Sequence, residues 1–245
     1  MTSIIKKTSL LLCLSAGLAS AALALDPGFG AKMNSAERPA ADKVRDAARR
    51  PAEVLSLLGI ESGMTVVDVA AGGGWYTEVL SAAVGPKGKV ISQIGPRALQ
   101  NGGTRADEAR ARAARLGNVE ASFENMAEQP AGIADAALTA MNLHDAVNFR
   151  GEEGGMAFLR DIYNVLKPGG KAAIIDHEGS AGMDNATLHR LDPALTKRLI
   201  EQAGFEIVTE SDVLNNPADD HSLGSHDDAL ERNTDRFLFI VRRPA

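Results

Sequence analysis

The sequence has 245 residues, 44% of them hydrophobic and 24% charged, with a formal net charge of −6. That length and balance fit one globular α/β domain with an N-terminal extension and exclude a disordered chain. The acidic balance and an aromatic share of only 4% argue against a nucleic-acid footprint and against a base-stacking platform.

Residues 1–24 read as a secretory signal. Lys6 and Lys7 give the basic start, an apolar stretch opens at Leu10, and Ala22-Leu23-Ala24 is a cleavage site, so that the mature chain begins at Leu25 in the periplasm or outside the cell. The apolar stretch is short for a membrane span, so no stable membrane insertion is expected once the signal is removed. Cys13 is the sole cysteine and lies inside the signal, which leaves the mature chain without disulfides, thiolate metal sites or a cysteine nucleophile. Residues 25–40 read as a linker or N-terminal arm, and 41–245 as the folded domain.

Two helices are predicted over residues 41–58, the second starting at Pro51, where proline suits a first turn, and stopping at Gly59. The β-branched run 64–69 reads as a buried strand and 77–84 as the following helix. Strands are then predicted at 89–94, 119–123, 135–141, 171–176, 206–209 and 236–241, with helices at 106–116, 156–166 and 193–203. Strand and helix alternate almost throughout, which predicts a Rossmann-like three-layer sandwich with a mainly parallel seven-stranded sheet. The polar stretch 215–233 reads as one long loop of the kind that is often functional.

In an open α/β sheet, ligands bind beyond the carboxyl ends of the strands. The first strand-to-helix turn here is Asp68-Val69-Ala70-Ala71-Gly72-Gly73-Gly74. Its glycines allow a tight turn and close approach of a ligand, and the next helix offers free N–H groups and a partial positive charge. A dinucleotide site is disfavoured, because Thr77 stands where a third small residue belongs and no acid ends the second strand.

The segment from Val66 to Gly74 resembles the first motif of class I S-adenosylmethionine-dependent methyltransferases, with Ala70 in place of the motif's first glycine. Leu166-Lys167-Pro168-Gly169-Gly170 and Ala203-Gly204-Phe205 resemble further elements in that family's order. More narrowly, the chain resembles a bacterial group of predicted exported methyltransferases. The resemblance implies S-adenosylmethionine as cofactor, held by Asp68, Ala70, Gly72, Gly74, Gln93, Asn125 and Asn142. Gln93 stands where an acid usually binds the ribose hydroxyls, and Asn125 where an acid usually contacts the adenine amine.

The acceptor rim follows from position. Asn142-Leu143-His144-Asp145 comes just after the fourth strand and Asp176-His177-Glu178 just after the fifth. His144 suits a general base, with Asp145 to orient it; His144, Asp145 and His177 are therefore the expected catalytic residues. The competing expectation for this segment is a polar loop with Asp145 as a helix cap. Convergence of Asp145, Asp176, His144, His177 and His221 would allow a metal, but no tight spacing such as His-x-x-x-His is present, and no metal ligand is assigned. Arg190 is a candidate for an anionic substrate group. Trp75 and Tyr76 are expected to pack. The sequence thus predicts a methyltransferase acting on a small molecule, with no nucleic-acid partner. Two rivals on the same scaffold are an exported ligand-binding protein without turnover and a metal-assisted enzyme using the His/Asp rim.

Overall fold

The structure is a computed structural model and describes residues 24–100 and 102–245. The signal expected over residues 1–24 lies outside the described residues except for Ala24. Among the described residues no helix is long and apolar enough to cross a membrane.

The N-terminal arm carries a short helix, α1 (Phe29–Asn34), and it is docked on the domain rather than free of it. The Asp26 amide donates to the Ala83 carbonyl at 2.7 Å, and Met33 is buried. Three helices follow: α2 (Ala40–Lys43), α3 (Asp46–Arg49) and α4 (Pro51–Leu58). Proline does open the last of these, and Gly59 ends it with φ 77°.

The alternation beyond them is β1 (Thr65–Val69), α5 (Trp75–Val84), β2 (Lys89–Gln93), α6 (Thr104–Leu116), β3 (Val119–Ser122), β4 (Ala134–Ala140), α7 (Leu143–Val165), β5 (Leu166–His177), α8 (Pro193–Gln202), β6 (Glu206–Ser211) and β7 (Arg236–Arg242). The sheet order is β3-β2-β1-β4-β5-β7-β6, with β7 antiparallel to both neighbours and the other pairs parallel. The expected seven-stranded, mainly parallel sandwich is the observed one. Its inner strands are apolar on both faces because helices cover both. Val66 joins a core with α4 and α5, while its neighbour Val67 joins the opposite core with α7 and α8.

The first of the two helices expected over residues 41–58 is split into α2 and α3, and the helix after β4 departs further from expectation. It begins at Leu143, not near residue 156, and it is kinked at Gly151, whose φ of 69° is not helical. The glycines at 151, 154 and 155 obscure the apolar period that would announce it. Gly155 is a packing requirement, since a Cβ there would lie 2.5 Å from a Val147 methyl. The consequence for the site is that Leu143, His144 and Asp145 form the first turn of a helix, with Asn142 rather than Asp145 at the N-cap position.

The chain runs outward from β1 to β3 and then returns to lay β4 beside β1. That reversal opens a crevice past the carboxyl ends of β1 and β4.

Candidate active site

The turn after β1 forms one wall of this crevice. Asp68, Ala70, Ala71, Gly72 and Gly73 line it, opposite Met141 and Asn142 beyond β4. Ala70 has φ 52°, a left-handed conformation that costs a residue with a Cβ roughly 1–2 kcal/mol. Two bonds hold it there: its amide donates to Gln93 Oε1 at 3.0 Å, and the Ala71 amide donates to the Gln93 carbonyl at 2.8 Å. Gln93 Nε2 donates in turn to the Glu124 carbonyl. Gln93 is therefore buried and spends both ends of its amide on shaping the turn.

Asp68 is buried and accepts the Thr77 hydroxyl at 2.6 Å, with Ser92 Oγ 2.9 Å beyond. Burial pushes its carboxyl up to about 7, against the pull of the Thr77 hydrogen bonds and the charges of Arg112 and Arg49. A Cβ on Gly73 would meet nothing within 4 Å, so the turn leaves open space for a ligand. Gly74 has a different role. It does not line the crevice, and a Cβ on it would sit 2.5 Å from the Arg112 guanidinium.

Beyond Ala70 and Asn142 the crevice continues between Ile94, Gly95 and Pro96 on one side and Phe149 and Phe158 on the other, with Asn125 at its edge. Asn125 caps a short turn and donates to Glu128 Oε2. Asn142 Nδ2 donates to the Ala140 carbonyl at 2.9 Å. The Arg49 guanidinium stacks 4.8 Å over the Trp75 ring, and the Trp75 indole N–H donates to the Asp42 carbonyl. Trp75 and Tyr76 are buried in the core and also edge the crevice, so the packing role expected of them holds.

The histidine rim lies on the other side of Met141, around a cavity of about 690 Å³. Here the carboxylate that orients His144 is Asp176, which is fully buried. Asp176 accepts the His144 and His177 amides, each at 2.8 Å, and its Oδ1 is 2.7 Å from His144 Nδ1. Asp145 lies on the opposite edge of the ring, with Oδ1 3.1 Å from His144 Nε2. Burial by itself would lower the His144 pKa, but the hydrogen bond and charge of Asp176, joined by Asp145, raise it overall. His177 goes the other way: burial first, then the charges of His144, Arg236, Arg190 and His226, hold it well below the usual imidazole value. His177 Nδ1 is 2.6 Å from Thr234 Oγ1.

Four of the five histidines meet at this rim. The ring centroids of His144 and His177 are 5.5 Å apart, those of His144 and His189 5.8 Å, and those of His189 and His226 5.2 Å. His189 and His226 were not legible as site residues, because both lie on irregular segments. Long-range contacts bring them in. Arg190, fully buried, pairs with both oxygens of Asp219 at 2.8 and 2.9 Å and also donates to the Glu178 and Leu223 carbonyls. The Ser225 amide donates to the Leu188 carbonyl. Arg190 thus fastens the late loop, which corrects its reading as a receptor for a substrate anion. His221 is likewise apart from the rim, between Ser180 Oγ at 3.0 Å and Asp235 Oδ2 at 2.9 Å.

The model of the ubiE/COQ5 methyltransferase family matches residues 46–187, more than half of the chain, including the turn after β1 and the strand ends of the rim. The chain belongs to the ubiE/COQ5 methyltransferase family. Among curated relatives, a demethylmenaquinone methyltransferase of Listeria welshimeri is 30% identical over 125 residues, 51% of this chain and 49% of that protein. The chain thus spans about half the length of the relatives it matches. Solved structures extend the likeness in fold. An S-adenosylmethionine-dependent methyltransferase from Aquifex aeolicus superposes with a TM-score of 0.60 at 23% identity, covering 83% of this chain and 95% of that one. The 1,6-didemethyltoxoflavin-N1-methyltransferase of Burkholderia thailandensis, with S-adenosylhomocysteine bound, gives 0.57 at 18% identity, covering 82% and 80%. Ala70 and Gln93, two of the positions at which the sequence departs from the class I motif, are joined in the structure: the glutamine side-chain oxygen accepts the amide of the left-handed alanine.

Proposed function

We propose that this protein transfers a methyl group from S-adenosylmethionine to a polar small-molecule acceptor. The residues along the crevice fit the cofactor. The buried Asp68 carboxylate suits its ammonium group, and the first turn of α5 suits its carboxylate. The apolar strip of Ile94, Pro96, Phe149 and Phe158, with Asn125 and Asn142, suits its adenosyl end. Ala70, Gly72 and Gln93 shape the turn, and Gly74 lets it enter the helix. When bound, the cofactor supplies an electrophilic methyl carbon.

The observation that carries this reading is a shared wall. Arg49 and Met141 line both the crevice at the glycine turn and the cavity at the histidine rim. A donor seated on the turn and an acceptor seated on the rim would therefore face each other across Met141, which supports transfer by positioning. His144, Asp145 and His177 are the residues proposed to touch the acceptor. Asp176 holds the His144 ring by Nδ1, which leaves Nε2 as the ring's outer nitrogen, 3.1 Å from Asp145 Oδ1.

The rim also bears on the kind of acceptor. The cavity is lined by Arg49, Arg232, three histidines and several acids, with Met141 as its one large apolar side chain. That lining suits a hydrophilic molecule and not a prenylated quinone, so the acceptor named for the Listeria relatives is not carried over. Residues 1–24 are proposed as an export signal and 25–40 as an arm ahead of the methyltransferase domain.

The test supplies the protein with methyl-labelled S-adenosylmethionine and a fractionated extract of small metabolites. Label is expected in a water-soluble product, with at least tenfold less in His177→Ala. Label appearing only in an organic-extractable product would contradict the polar acceptor.

A further inference from the structure

We propose that His144, Asp145 and His189 form a binding site for a divalent transition-metal ion at the mouth of the acceptor cavity. This goes beyond the methyl-transfer reading and is measured without the cofactor, so either can fail alone.

Three ligand atoms converge. His144 Nε2 is 3.1 Å and His189 Nδ1 3.4 Å from the same oxygen, Asp145 Oδ1, and the three lie within 4.8 Å of one another. Ligands about 2.1 Å from one cation stand about 3–3.5 Å apart, so only a small adjustment is needed to hold an ion. Two imidazoles and one carboxylate suit zinc, iron(II), cobalt(II) or manganese(II) and leave coordination positions open for a substrate.

The surroundings are those of a ligand set. His144 Nδ1 is 2.7 Å from the fully buried Asp176, the carboxylate–histidine pairing that fixes a metal-binding ring and keeps Nε2 free as the ligand atom. His189 holds φ 50°, and its position is braced by the buried Arg190–Asp219 pair next to it. Asn148 Nδ2 donates to the Asn185 and Arg190 carbonyls, tying α7, which carries His144 and Asp145, to the segment that carries His189. The three ligands come from two segments that share no local sequence spacing, which is why no motif announces them. His226, 5.2 Å from His189 between ring centroids, is the nearest additional donor. An ion held here would favour acceptors that offer two neighbouring oxygen atoms.

Glu178, His221 and Asp235 make a second convergent set. It offers one imidazole and two carboxylates where the first set offers two imidazoles, so it is the weaker candidate for a transition metal and serves as the control.

The experiment strips the full protein with a chelator and titrates it with cobalt(II) alone, reading the visible absorption band, and with zinc(II) alone by calorimetry. One ion per chain is expected, bound at least tenfold more weakly by Asp145→Ala and by His189→Asn, the latter chosen because asparagine tolerates the left-handed backbone. Asp176→Asn should weaken binding about 10- to 100-fold by loosening the His144 ring, and Glu178→Gln should leave it unchanged. No band and no heat up to 100-fold molar excess would overturn the site, as would unchanged binding in both ligand variants or loss of binding in Glu178→Gln.

Discussion

Asp68 shows how far a single residue can be read from sequence. Its place at the end of a β-branched run before glycines marks it as a crevice residue. Its chemistry comes from burial, which no spacing reveals and which lifts its carboxyl to about 7. An acid whose pKa is raised on folding adds stability that is whole below its unfolded value, about 3.9, and is lost as pH rises through the folded value. Between about pH 4 and 7, then, Asp68 makes the protein less stable with rising pH. Asp68→Asn keeps an oxygen for the Thr77 hydroxyl and removes the titration. It is expected to flatten that part of the pH–stability curve, gaining a few kcal/mol at pH 8 relative to the native chain in urea unfolding. Parallel curves for the two proteins would contradict the account. Ala70 and Gln93 show the other side: each is legible as a departure from a pattern, but their partnership, Ala70 N–H on Gln93 Oε1, is a product of the β1–β2 register.

Among the elements, the strands and most helices were legible because each couples one clear period to a glycine or proline stop. The start of α7 was not, since three glycines interrupt its apolar pattern, and with it was lost the fact that His144 and Asp145 sit in a helical first turn. The late loop was legible as long and polar, but not as fastened. Its fastening is the Arg190–Asp219 pair, whose members are 29 positions apart. Removing one partner of a buried ion pair leaves an uncompensated charge and costs about 3–5 kcal/mol. Asp219→Ala is therefore expected to destabilise the protein by about 3 kcal/mol in urea unfolding and to open residues 215–233 to limited proteolysis. A loss below about 1 kcal/mol, with the loop still resistant, would mean that the other Arg190 hydrogen bonds suffice.

For the whole molecule, the reversal of strand order between β1 and β4 decides where chemistry can occur. It brings the glycine turn, Asn142 and the histidine rim to one edge of the sheet, and the family match covers the turn, Asn142, His144 and His177 but ends before His189 and His226. The histidines of the rim come from α7, β5 and two irregular segments, so their meeting is a property of the folded chain alone. Methyl transfer at this edge requires the crevice at Asp68 and Gly73 to be a cofactor site. Calorimetric titration of the full protein with S-adenosylhomocysteine tests this most directly. One molecule is expected to bind per chain, with affinity at least tenfold weaker in Asp68→Asn; no heat at millimolar ligand, or binding that Asp68→Asn leaves unchanged, would contradict it.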